Sequence, residues 1–133
     1  MIYFLDTNIC IYFLNNSSKN VSSHLIKTSA SNIKIPSMVA AELLYGAEKS
    51  LKRENNLKLF KTFLSVFEII SFDEQASECY AGIRAELERK GQTIGSNDLV
   101  IAATVLAKGG VLVTHNTPEF SRIKKLKTAD WTV

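Results

Sequence analysis

The chain opens Met1-Ile2-Tyr3-Phe4-Leu5-Asp6-Thr7-Asn8, and the break after Leu5 constrains its fold more than any other feature. Bulky apolar residues from Ile2 to Leu5 stop at a carboxylate, a hydroxyl and an amide, and Ile9 to Leu14 then runs apolar over the length of a short helix. A brief unbroken apolar run suits a strand covered on both faces, which is the environment of a parallel sheet. Ligands of open α/β sheets sit just past the carboxyl ends of such strands. Asp6 stands at that spot. Aspartate also caps helices by accepting bonds from their first free amides, so residue 6 alone leaves both roles open.

The alternation continues along the chain. Helices are expected over Ile9–Leu14, about 19–30, Met38 to about Ser50, Arg53–Val66, about 74 to Arg89, and 98–108. Ser37 and Asp73 are natural caps for two of them, and Gly91 and Gly109-Gly110 are stops. The helix from Met38 is apolar nearly all round, which predicts burial. Strands are expected at Ile33–Ile35, closed by Pro36, at Phe67–Phe72, at Val111–Thr114 and, on an edge, at Thr128–Val133. Short apolar strands separated by helices give an α/β protein, a three-layer α/β/α sandwich about a mostly parallel sheet. No linker, repeat or low-complexity tract interrupts residues 1–133, so one domain is expected.

Bulk properties narrow the function classes. A chain with 46% hydrophobic and 22% charged residues is of the soluble globular type. No stretch approaches the roughly 18 to 20 apolar residues of a membrane span, and the first residues lack the basic flank and cleavage site of a secretory signal. Cys10 and Cys79 sit in apolar, helix-like surroundings without metal or redox spacing, and are expected to be core thiols in a reducing cytoplasm. A net charge of +3 is compatible with a nucleic-acid partner but does not require one.

Three further acids share the setting of Asp6. Glu42 projects from the same side of its helix as Met38, Val39 and Gly46, where an unpaired carboxylate is expensive; a Lys or Arg partner is the alternative. Asp98 shares a side with Ile101, Ala102 and Val105. It also suits the positive end of its helix, although Ser96 and Asn97 are available as caps. Glu119 and Asn116 follow the apolar strand 111–114 and reach Asp6 if that strand lies beside the first; otherwise Glu119 is an ordinary loop residue. Clustered carboxylates repel, and a cation or a shared proton makes them tolerable. Oxygen ligands without Cys or His suit Mg²⁺ or Mn²⁺, ions that bind substrate phosphates and activate water. Lys49, Lys52 and Arg53, and again Arg122, Lys124, Lys125 and Lys127, offer a basic rim, or else plain solvated surface. His24 reads as a surface residue, and His115 lies near the expected cleft without an assigned role.

Asp6-Thr7-Asn8, Ala41-Glu42-Leu43 with Tyr45-Gly46, Asn97-Asp98 with Ile101-Ala102-Ala103, and Leu112-Val113-Thr114-His115-Asn116 with Glu119-Phe120 resemble the PIN-domain family. Within it, they are similar to the VapC-type toxin ribonucleases of VapBC toxin–antitoxin systems. The likeness covers nearly the whole chain in the right order. It implies a PIN-like α/β/α fold and a Mg²⁺-dependent endoribonuclease that hydrolyses RNA by a metal-activated water, with Mn²⁺ as a substitute. Asp6, Glu42 and Asp98 match the family's metal-binding acids, and the fourth catalytic acid falls on Glu119. Asn116 stands where some relatives carry another acid, which favours one firmly held ion over two. Thr7, Asn97 and Asn116 match positions that orient substrate or water. The resemblance further implies a cytoplasmic homodimer, silenced by a cognate VapB-like antitoxin through which it meets operator DNA. Several relatives cut initiator tRNA. A metal-dependent phosphatase is the rival enzyme, although its usual second Asp two residues after the first is here Asn8. A catalytically silent RNA- or protein-binding module is the other alternative.

Overall fold

Five short strands, none longer than four residues, carry the fold. The structure, a computed structural model, describes residues 1–133. The strands are β1 (Tyr3–Leu5), β2 (Ile33–Pro36), β3 (Glu68–Ile70), β4 (Val111–Val113) and β5 (Lys127–Ala129). They lie in the order β3-β2-β1-β4-β5 with every neighbouring pair parallel. The α/β expectation holds, and the sheet is wholly parallel. Phe4, Leu5, Ile33, Ile35, Leu112 and Val113 bury the three middle strands, which is why these read as unbroken apolar runs.

Seven helices connect and cover the strands: α1 (Thr7–Leu14), α2 (Lys19–Lys27), α3 (Ser37–Glu48), α4 (Arg53–Leu64), α5 (Glu74–Arg89), α6 (Ser96–Lys108) and the four-residue α7 (Thr117–Phe120). Helix α6 presents Ile101, Ala102, Ala103 and Val105 fully buried, and it packs on β2, β4 and α3, while α5 covers α6. The turn from α6 into β4 depends on glycine twice. Gly109 adopts φ +74°, and a side chain on Gly110 would collide with the Phe4 ring.

The chain runs from β1 outward to β2 and β3, then returns to the other side of β1 for β4 and β5. Strand order therefore reverses between β1 and β4, where open α/β sheets form a crevice at the strands' carboxyl ends. Leu5 pairs with Val113, and the Asp6 amide donates to the Val113 carbonyl at 2.9 Å. Asp6 and Thr114 consequently leave the sheet side by side.

Several expectations need correction. Ser37 is no cap: it begins α3 after Pro36, and its hydroxyl instead accepts from the Phe72 amide at 3.2 Å. Helix α3 is not buried all round, since Ala41 and Tyr45 face solvent. Strand β3 is shorter than Phe67–Phe72 because it is an edge, with Glu68 and Ile69 exposed, and because Phe67 turns to meet the Phe63 ring. The last segment leaves the sheet at Ala129, where Trp131 folds into the core against Tyr3 and stacks on the exposed His24. Asp73 caps α5 as expected, through the Ala76 amide at 3.0 Å, and Gly91 takes a positive φ just beyond that helix. Cys10 is a buried thiol, pushed far up by desolvation and by the nearby Asp6 charge, whereas Cys79 is only partly buried. No helix is long and apolar enough to cross a membrane.

Candidate active site

Asp6 is 7% exposed and has both of its expected structural attributes. It is the N-cap of α1, its Oδ1 accepting from the Thr7 amide at 2.9 Å. Its Oδ2 accepts from the Thr114 hydroxyl at 2.7 Å. Neither partner carries positive charge. Burial raises the Asp6 pKa, the Thr114 and Thr7 bonds oppose that without reversing it, and the charges of Glu42 and Glu119 add to the rise.

Glu42 has no Lys or Arg partner, so the ion-pair alternative for it falls. The Thr7 hydroxyl donates to its Oε1 at 2.5 Å, and Asn97 Nδ2 donates to Oε2 at 3.3 Å. Helices α1, α3 and α6 are thereby tied together at one polar point by side chains that α1 and α6 supply from their first turns. Asp98, in the first turn of α6, is partly buried and is pushed up to about 6, first by desolvation and then by the charges of Asp6, Glu119 and Glu42. Ser96 and Asn97 do not cap α6. They lie inside its first turn, and the cap position belongs to Gly95, which has no side chain to offer.

Glu119 sits in α7, where Asn116 Nδ2 donates to its Oε2 at 2.8 Å and the Gly95 amide to its Oε1 at 3.2 Å. Those two bonds hold it below the usual carboxylate range. The Asn116 amide turns back to the Thr114 hydroxyl at 3.0 Å. The structure thus gathers Asp6, Thr7, Glu42, Asn97, Asp98, Asn116 and Glu119 at the carboxyl ends of β1 and β4. Thr114 completes the group and was not singled out from the sequence. At the end of an apolar run it reads as one more β-branched strand residue, and only the pairing of β1 with β4 reveals what it holds.

The basic residues stand apart from this centre. Arg53 pairs with Glu48, Lys49 lies over the Tyr45 ring, and Arg122 binds the Thr93 carbonyl. His115 binds Asp130 rather than any of the four acids. No three of the acids close on a point that one ion could occupy. The donor set nevertheless fits a hard divalent cation of the kind that retains several waters and takes only one or two carboxylates directly. It is made of oxygens, two of its carboxylates are held above their ordinary pKa by burial and by neighbouring negative charge, and no Lys or Arg forms an ion pair with any of the four.

The PIN domain family model matches residues 3–126. The chain is 45% identical over 132 residues to a Rickettsia felis protein named Ribonuclease VapC2, with 98% of each chain covered. It is 40% identical over 129 residues to the Salmonella typhimurium tRNA(fMet)-specific endonuclease VapC, with 97% of each covered. The crystal structure of VapBC2 from Rickettsia felis bound to a DNA fragment from their promoter contains a chain that superposes with a TM-score of 0.90 at 43% identity, over 98% of this chain and 99% of that one.

Proposed function

The chain belongs to the PIN domain family, and from that premise we propose that it is a metal-dependent endoribonuclease, the toxin of a toxin–antitoxin pair. The observation that carries this reading is the buried Asp6. It is surrounded by three further acids and held only by hydroxyl and amide donors, at the crevice where the sheet changes direction. A polyanionic substrate does not approach such a centre unless a cation neutralises it.

Asp6, Asp98 and Glu42 would hold the ion, and Mg²⁺, with Mn²⁺ as a substitute, would supply charge neutralisation at the phosphodiester and an acidified water. The remaining side chains fix two of those acids. Thr114 orients Asp6, and Thr7 and Asn97 orient Glu42 from opposite sides. Glu119, kept ionised by the Asn116 and Gly95 donors, is a standing acceptor that aligns the attacking water with the phosphorus. Glu119, the one acid of the four not given to the ion, is also the group left to take up the proton. The acids of the site are all oxygen bases, and no His takes part.

In this reading a VapB-like antitoxin silences the enzyme, the pair meets promoter DNA through that antitoxin, and the toxin is a cytoplasmic homodimer. Transfer RNA is the first substrate to try, on the strength of the Salmonella relative's name. The test is cleavage of labelled RNA with Mg²⁺, with EDTA, and by Asp6→Asn. Cutting by the wild-type chain that EDTA and Asp6→Asn both remove is expected. Hydrolysis of small phosphate esters without RNA cleavage would replace the reading with a phosphatase. RNA binding indifferent to EDTA, with no cleavage, would replace it with a binding module.

A further inference from the structure

Among the groups that this chemistry leaves unused is a hydrogen-bonded His115–Asp130 pair, its histidine next in sequence to the residues that hold the acids. His115 stands between the two residues that hold them: Thr114 donates to Asp6 at 2.7 Å and Asn116 to Glu119 at 2.8 Å. The imidazole itself goes elsewhere. Its Nδ1 lies 3.1 Å from Asp130 Oδ2 and 3.1 Å from Thr132 Oγ1. The Thr132 hydroxyl already donates to Asp130 Oδ1 at 2.6 Å, so its oxygen can only accept from the ring. Nδ1 therefore carries the hydrogen, and Nε2 is left without a partner in the chain. The Tyr12 ring meets the imidazole edge to face, with centroids 6.4 Å apart. Tyr12, Ser17, Ser18, His115 and Thr132 line an open cleft of about 360 Å³. None of these five residues is acidic and only Tyr12 is hydrophobic, a lining unsuited to the apolar face of a peptide helix.

We propose that this cleft is the subsite for a ribonucleotide flanking the scissile phosphodiester, positioned by His115 through its free Nε2; the inference rests on the ribonuclease reading above. Single-stranded RNA is recognised by rings that take the base and by donor–acceptor groups that take ribose and phosphate. Tyr12 and His115 supply the rings, and Nε2 with the Ser17, Ser18 and Thr132 hydroxyls supplies the polar contacts. The location is right as well. Tyr12 lies five residues beyond Thr7 on α1, about 7–8 Å along the helix axis, a step that one extended nucleotide spans. The backbone of His115 continues directly from the Thr114 that holds Asp6.

The experiment uses the full chain with a fluorescein-labelled single-stranded RNA. Binding is followed by anisotropy in EDTA, and cleavage kinetics are followed with Mg²⁺. His115→Ala should weaken binding and raise KM by about tenfold while kcat stays within about twofold. Asn places an amide where Nδ1 was and keeps Asp130 company but cannot reach the Nε2 position, whereas Gln can. His115→Asn should therefore bind as weakly as His115→Ala, with His115→Gln recovering part of the loss. Wild-type binding and KM in His115→Ala, or full recovery in His115→Asn, would overturn the subsite while leaving the ribonuclease reading intact. RNA binding that His115→Ala weakens, in a chain that never cuts RNA, would overturn the ribonuclease and, with it, the subsite's place beside a scissile bond, leaving His115 as an RNA contact only. A chain that neither binds nor cuts RNA would overturn both.

Discussion

Two groups of acids in this protein differ in their surroundings, one ion-paired on its outer surface and one at the carboxyl ends of β1 and β4. On the outer surface Glu48, Glu68, Glu86, Glu88 and Asp73 each meet a cation of the chain itself, Arg53, Lys34, Lys90, Arg84 and Lys108 respectively. Asp73 is held low by the Ala76 amide and Lys108, and Glu86 by Lys90. In the cleft, Asp6, Glu42, Asp98 and Glu119 have no such partner, and Asp6 and Asp98 are pushed up. Hydroxyls and amides there fix the direction of Asp6, Glu42 and Glu119 without cancelling their charge. Those five outer acids are complete as folded. The inner ones are arranged for a charge that comes from outside, so the two populations should answer differently to the same perturbations.

The sharpest contrast is the loss of one inner carboxylate. Asp6→Asn keeps one acceptor oxygen, for the Thr7 amide, and turns its NH2 towards the Thr114 hydroxyl oxygen, so with repulsion relieved the metal-free chain should melt no lower than wild type. RNA cleavage should fall by roughly 10³-fold or more, the scale on which removing one member of a catalytic unit is felt. Asp6→Ala is the poorer test because it strands the Thr114 hydroxyl. A clear drop in melting temperature for Asp6→Asn in EDTA would mean that the acceptor bond to Thr114, rather than relief of repulsion, dominates at residue 6.

Thr114→Val comes next. The substitution keeps the shape and removes the donor to Asp6 as well as the acceptor for the Asn116 amide. Cleavage should drop about 10–100-fold, as for groups that orient a metal-binding carboxylate. The half-buried Asn116 amide left without a partner should cost about 1 kcal/mol by denaturant titration. Unchanged cleavage with only the stability loss would make Thr114 a structural residue and separate it from the centre.

A smaller effect distinguishes the two populations by pH. Asp98 holds its proton up to about 6 in the folded chain but releases it near 3.8 when unfolded. Between those values the folded state binds more protons, so this contribution to metal-free stability is complete below the unfolded pKa and is lost as pH rises from about 4 to about 6. Asp6 acts in the same direction. Glu119, whose pKa is lowered, acts in the opposite one. The quantity to measure is therefore the melting temperature of wild type minus that of Asp98→Asn, in EDTA, which should decline across this window and then level off. A flat difference would mean that Asp98 ionises freely and that the inner acids do not repel.

Much of this contrast was legible in the sequence, because burial on both faces writes β1 and β4 as unbroken apolar runs and places polar residues at their ends. Asp6, Glu42 and Asp98 stood out as charges in apolar company. What escaped was whatever depends on pairing between distant segments. The role of Thr114 needs the register of β1 against β4, and the anchoring of Glu119 by the Gly95 amide needs α6 and α7 to meet. Edges failed for a related reason. Strands β3 and β5 stop short where Phe67 turns to Phe63 of α4 and Trp131 to His24 of α2 and Tyr3 of β1, a preference that no local pattern records.

The weakest perturbation is the one that completes the comparison. Lys108 lies 3.1 Å from Asp73, with both side chains well exposed to water. An exposed pair of this kind is screened and gains little over its separate hydration, and Asp73 keeps its cap bond to Ala76 whether or not the lysine is present. Lys108→Gln should leave RNA cleavage unchanged and shift the melting temperature too little to measure, in low salt as in high. A measurable loss would show that the chain relies on its own cations to hold its acids. The absence of any such cation beside Asp6 and Asp98 would then have to carry a stability cost, and Asp6→Asn should show that cost as a gain in melting temperature larger than the loss in Lys108→Gln.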